Sequence, residues 1–151
     1  MPQSLKRPIA AALCSIAALT WTAASSAHEA GEKVTPNFEQ AIPNIPGKSL
    51  IAVEVEYPPG ESSAPHHHAR SAFIYAYVVS GAIESKVNDG ETRIYTAGQS
   101  WSEPPGASHP ISRNASKTEP AKLLAVFVAD TDDRELTTPT KSPEQSTGVL
   151  K

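Results

Sequence analysis

Beyond its first fourteen residues the 151-residue chain has neither cysteine nor methionine, since Cys14 and Met1 are the single examples of each. The folded part therefore needs no disulfide and is indifferent to an oxidising compartment. Basic residues are also in deficit: 13 Lys and Arg stand against 16 Asp and Glu, a formal net charge of −3. A mildly acidic surface argues against nucleic acid or anionic lipid as a partner. No P-loop, G-x-G-x-x-G, nucleophile elbow or H-E-x-x-H motif occurs. Helical periodicity is nearly absent after the N-terminal region. The one long apolar stretch, Ile9 to Trp21, falls short of the ~20 residues a spanning helix needs, so no membrane span is expected.

That stretch has the order of an export signal. Lys6 and Arg7 form a basic start, the alanine-rich segment follows, and Ser25-Ser26-Ala27 supplies small residues at the cleavage positions. An amphipathic helix is the poorer reading, because residues 9–19 have no polar face. Cys14 does not fit a lipid-modified cysteine, since a bulky Leu13 precedes it. Cleavage after Ala27 leaves 124 residues starting at His28, moves the net charge from −3 to −5, and directs the protein to the periplasm or the medium. An N-terminal His28 could chelate copper through its amine and ring, though no neighbour on the body is predicted to join it.

The remaining sequence divides into an arm at 28–47, a body at 48–130 and a polar C-terminal tail at 131–151. The arm is punctuated by Pro36, Pro43 and Pro46, with room for one short strand. In Ser49 to Tyr57, Ile51, Val53, Val55 and Tyr57 alternate against Ala52, Glu54 and Glu56, the period of a strand. Phe73 to Val79 is apolar or aromatic on both faces, which predicts an internal strand. Asn88-Asp89-Gly90 predicts a hairpin turn in which Asp-Gly supplies positive φ. Short strands are expected at Ala82 to Val87, Thr92 to Thr96, Ser100 to Glu103, His109 to Ser112 and Leu123 to Val128. Seven or eight short strands with tight turns make an all-β sandwich or barrel.

Four of the five histidines lie at positions 66, 67, 68 and 109. In a strand, alternation sends His66 and His68 to one face and His67 to the other. Neutral imidazoles are ligands for Mn, Fe, Co, Ni, Cu or Zn, and a barrel can bring His109 opposite the pair. A solvated loop of three histidines is the bland alternative.

The spacing around these histidines resembles the cupin superfamily, whose two motifs read G-x5-H-x-H-x3–4-E-x6-G and G-x5-P-x-G-x2-H-x3-N. Gly60, His66 and His68 match the first, and Gly81 closes the region at a longer interval than the motif allows. Gly98, Pro104, Gly106 and His109 match the second, with Asn114 one place late. The resemblance covers roughly residues 49–129 and implies a double-stranded β-helix, or jelly-roll barrel, with His66, His68 and His109 holding one divalent transition metal. One residue is missing. The first-motif glutamate should fall at Ala72 or Phe73 counting from His68, or at Ile74 counting back from Gly81, and none is acidic.

Glu103 is the best substitute, as a metal ligand or as a catalytic acid/base. Its competing reading is a rim glutamate paired with Arg93 or Arg113, so it is expected to contribute at most weakly to metal binding. Tyr75 and Tyr77 are assigned to outer-face packing, at the interface of a homodimer, and Trp101 to the core or mouth. The resemblance implies a metal-dependent oxygenase, isomerase or lyase acting on a small anion or phenolic compound. The runner-up is a secreted metal- or ligand-binding protein without catalysis. A purely structural role leaves the three histidines unexplained.

Overall fold

The computed structural model describes residues 31–140. The segment read as an export signal, His28 and the last eleven residues lie outside them. Among the described residues there is no helix, and none therefore long and apolar enough to cross a membrane. The strands are β1 (Lys33–Ala41), β2 (Lys48–Tyr57), β3 (His66–His68), β4 (Phe73–Ser80), β5 (Ala82–Lys86), β6 (Arg93–Thr96), β7 (Ser100–Glu103), β8 (Ser108–His109), β9 (Ile111–Asn114), β10 (Ala121–Asp130) and β11 (Thr137–Pro139). They form one five-stranded sheet, β1-β2-β10-β4-β7, and two three-stranded sheets, β11-β3-β8 and β6-β5-β9. Every pairing is antiparallel. The all-β jelly roll expected from the sequence is present.

The core follows from alternation. On β4, Ile74, Ala76 and Val78 are buried while Phe73, Tyr75 and Val79 face outward. On β10, Ala121, Leu123, Ala125, Phe127 and Ala129 are buried. With Val55, Tyr57, Ile83 and Trp101 they make two clusters, one of which ends against the histidines: the Phe127 ring lies 5.8 Å from that of His68. β4 sits between β10 and β7, the internal place predicted for it.

Several local expectations differ from the structure. The arm carries a full nine-residue strand, β1, along β2 with a bulge between Pro36 and Phe38; its one proline, Pro36, is tolerated because the strand is an edge. The polar tail carries β11, which pairs with the histidine strand, and Leu136 packs against the core. His109 to Ser112 is broken at Pro110, so that β8 and β9 belong to different sheets.

In the turn after β5, positive φ falls on Asn88 (51°) rather than on Asp-Gly. The reason is tertiary: the Asn88 N–H donates to the Ser108 carbonyl at 2.8 Å, and its Oδ1 accepts from the Ser108 N–H at 2.9 Å. These bonds tether the turn to β8, one residue before His109.

Gly81 joins β4 to β5 at φ +72°, and a Cβ there would lie 2.7 Å from the Pro120 carbonyl oxygen and 2.8 Å from Ala121. A left-handed side-chain residue costs ~1–2 kcal/mol, and overpacking backbone adds ~1–3. Gly81→Ala is therefore expected to destabilise the fold by roughly 2–5 kcal/mol, read from the urea midpoint; an unchanged midpoint would contradict the packing described.

Candidate metal centre

β3 and β8 are short, yet they are paired so that His66 is the direct cross-strand partner of His109. Opposed residues point to one face, and His68, two residues along, joins them. The three rings pack with centroids 4.8 Å (His66–His68), 5.2 Å (His66–His109) and 5.8 Å (His68–His109) apart. One nitrogen from each lies within 4.8 Å of the others. His67 is opposite Ser108 on the other face and is exposed.

The fourth group is Glu103, and here the rim reading is corrected. Arg93 contacts Glu91, and Arg113 pairs with Glu84 at 2.6 Å. Glu103 is only 2% exposed, on the inner face of β7 with Trp101, because Ser100 and Ser102 take the outer one. Its Oε2 lies 2.9 Å from His68 Nε2 and 3.4 Å from His109 Nδ1. The Trp101 indole donates to Oε1 at 3.0 Å, the partner a buried indole N–H needs. The Cα partner of Glu103 on β4 is Ile74, where counting back from Gly81 places the absent glutamate. Cross-strand neighbours have Cβ atoms only ~4.5–5.5 Å apart, so a carboxylate on β7 reaches the space that one on β4 would.

The donor set fits a metal ion. His68 Nδ1, His68 Nε2 and Glu103 Oε2 are buried without a hydrogen-bond partner; the 2.9 Å contact between the last two lies off hydrogen-bond geometry. Unpaired buried polar atoms are costly unless something else engages them. His66 is oriented by the bond between Nδ1 and the Ala64 carbonyl, 2.8 Å, which leaves Nε2 as its lone-pair nitrogen. His109 Nε2 meets Ser85 Oγ at 2.9 Å, so Nδ1 faces the cluster, as a ligand when Nε2 is the donor to Ser85. Ser85 was invisible to motif reasoning, being 24 residues from its partner and in no motif.

Protonation suits the same role. Burial pushes the His109 imidazole down to about 4 against the pull of Glu103, with His66 and His68 adding to the depression. Burial also lowers His66. For Glu103 burial works upward, but contact with His68, the charge of His109 and His68, and the Trp101 N–H together hold the carboxyl below its ordinary range. Near neutral pH, His66 and His109 keep lone pairs and Glu103 its charge.

A cavity of about 240 Å³ opens beside these groups. His66, His68, Glu103 and His109 line it, together with apolar walls from β2, β4 and β10 and the hydroxyls of Tyr57, Ser63, Ser112 and Thr137. The Tyr57 hydroxyl bonds both serines at 2.8 Å. β11 and the residue before it close one side through Leu136, Thr137 and Pro139. Asn114 has a structural role: it is buried and its side-chain amide lies 2.8 Å from the Glu119 carbonyl.

An antiparallel jelly roll enclosing a three-histidine cluster beside a cavity defines the class of protein. A family model described as Cupin domain matches residues 53–127, and the chain belongs to the cupin superfamily. The sequence matches no curated protein. Among solved structures it resembles a protein with a double-stranded β-helix domain from Klebsiella pneumoniae, at 16% identity and TM-score 0.59 over 76% of this chain and 89% of that one. TT1209 from Thermus thermophilus aligns at 23% identity and TM-score 0.53, over 66% of this chain and 84% of that one. An oxalate oxidase in complex with glycolate aligns at 22% identity and TM-score 0.55, over 75% of this chain and 57% of that one. These likenesses concern the fold.

Proposed function

We propose that this protein is an exported metal-dependent enzyme acting on a small molecule in the cavity, with one divalent transition metal held by His66, His68, His109 and Glu103. The observation that carries the reading is the buried Glu103 carboxylate, whose Oε2 lacks a hydrogen-bond partner beside His68 and His109. A bound divalent ion would supply Lewis acidity and open coordination positions for a ligand. The chain's own residues set the frame: Ser85 and Ala64 orient two imidazoles, Trp101 orients the carboxylate, and the apolar walls exclude water. Oxalate oxidase and DMSP lyase among the proteins of similar fold are consistent with small-molecule chemistry in such a barrel. Elemental analysis of exported protein is expected to find about one transition-metal ion per chain. Protein purified without chelator that neither contains nor takes up metal would overturn the reading.

Export rests on the N-terminal sequence. The secreted or periplasmic protein is expected to begin at His28, and mass measurement finding Met1 intact there would refute it.

We also infer a homodimer through the outer face of the five-stranded sheet. Phe38, Ala52, Val126 and Tyr75 lie in register straight across β1, β2, β10 and β4. Phe38 (52%) and Tyr75 (44%) are among its exposed large side chains, with Phe73 and Val79 beside Tyr75 on β4. An exposed apolar strip of this kind suits a two-fold interface. Light scattering at micromolar concentration is expected to give dimer mass, and Tyr75→Lys monomer mass. A monomeric parent protein would refute this.

A further inference from the structure

We propose that Tyr57, Ser63 and Ser112 form a second binding subsite in the cavity, a hydrogen-bond donor for an oxygen at the end of a ligand remote from the histidine cluster. The ligand class is a short organic molecule with a metal-binding function at one end, such as a carboxylate, and a hydroxyl or carbonyl oxygen at the other. The proposal rests on the reading of His66, His68, His109 and Glu103 as a metal site and adds a second point of attachment to it.

Register sets the two ends apart. His66 stands opposite His109, and the same register continues to the bridge between Ser62 and Arg113. Within it the Ser63 N–H donates to the Ser112 carbonyl at 2.9 Å. Ser63 and Ser112 therefore stand opposite one another three residues from the histidine pair, ~10 Å of extended chain. Regular strand is interrupted at Pro65 and Pro110, so the odd offset does not send the serines outward, and both line the cavity.

The β2–β10 ladder agrees. Phe127 lies against the His68 ring, while Ala121, at the other end of β10, is the partner of Tyr57. Leu123 and Ala125, with their β2 partners Val55 and Val53, come between and line the cavity. A carbon skeleton gains dispersion contact along that wall, with a polar group at each end of it.

The hydroxyl end has a proton to spare. Three O–H donors meet in two contacts, Tyr57 with Ser63 and Tyr57 with Ser112, both at 2.8 Å. Each contact uses one proton, so at least one donor is left over whichever way the chain is polarised. Tyr57 and Ser112 are buried, where an unused donor is costly. Burial pushes the Tyr57 phenol up, against the two serine contacts, and it stays protonated at neutral pH. Thr137, the other lining hydroxyl, is exposed on β11.

The test uses the exported protein loaded with Co(II), whose visible spectrum reports a ligand joining the metal. The probes are 3-hydroxypropanoate, 4-hydroxybutanoate, 5-hydroxypentanoate and 6-hydroxyhexanoate, each against the acid with methyl in place of the hydroxyl. The acids are expected to change the Co(II) spectrum. At least one hydroxy acid should bind about fivefold or more tightly than its methyl partner, because a site built to bond an oxygen penalises an analogue without one. The combined variant Tyr57→Phe, Ser63→Ala, Ser112→Ala removes all three hydroxyls together and orphans none of them. It should keep Co(II) and reverse the preference, since an unpartnered hydroxyl is disfavoured in an apolar cavity. Thr137→Val should leave the preference intact. In the Zn(II) form of the parent protein, the hydroxyl-bearing methylene of the preferred acid should show NMR contacts to the Tyr57 ring, a measurement independent of any variant. No preference at any chain length, a preference that survives the combined variant or is lost in Thr137→Val, or absence of the Tyr57 contacts would overturn the proposal. A Co(II) spectrum unmoved by saturating acid would overturn its metal end. Co(II) uptake is read first and separately, and its failure would overturn the metal site itself and the two-ended ligand with it.

Discussion

Replacing His68, His109 or Glu103 by alanine is expected to lower divalent-metal affinity more than ~100-fold each, because even outer partners of metal ligands are worth ~10–100-fold. Ser85→Ala, which removes the contact at His109 Nε2, should fall within that lesser range. His66→Ala should match the other ligands, since its ring completes the cluster. His67→Ala is the internal control: it sits on the opposite, exposed face of β3, and its metal binding should be unchanged. Titration of Zn(II) into the metal-free proteins, with dichroism to confirm folding, gives the comparison. Loss in the His67 variant with retention in the His68 variant would mean the strand face is wrong. Full affinity after Glu103→Ala would return the site to three histidines and remove the carboxylate from the proposal.

A second large effect is expected with pH in the metal-free protein. The His109 imidazole has an ordinary value of 6.5 and is pushed by burial to about 4 in the folded state. Between those values the unfolded chain binds a proton that the folded chain refuses, so stability falls as pH drops through that window. The difference corresponds to about 3 kcal/mol. His66, also lowered by burial, acts in the same sense. Glu103, held below its ordinary 4.5, contributes stability that is present above that value and lost as pH falls below it. Urea midpoints measured from pH 7 to pH 4 in chelator should therefore decline steeply, and His109→Gln should flatten much of the decline. A midpoint that is constant to pH 4 would show that the folded site accepts protons freely.

Much of this was legible in the sequence because the information is local. Strand period depends on alternate residues, and β2 buries Val55 and Tyr57 on the side its alternation marks. A His-x-His pair on one face needs nothing beyond the geometry of an extended chain. The glycines and prolines at 60, 98, 104 and 106 set the frame in which His109 comes to His66, and spacing alone carried that resemblance.

What only the tertiary structure decided is where the carboxylate comes from. First-motif spacing finds Ala72, Phe73 or Ile74, none of them acidic, and no local rule moves an acidic group to Glu103. Register does: β4 and β7 pair Ile74 with Glu103, and inner-face alternation on β7 turns that side chain inward. The same holds for Ser85 on His109 and Asn88 on Ser108, contacts across 24 and 20 residues. It holds also for β11, whose polar, proline-bearing sequence has no apolar period and becomes a strand because β3 presents an open edge to it. Local sequence sets the face a side chain takes within its strand. Which strand lies beside it is set by the packing of the whole sheet, and the site is assembled at that second level.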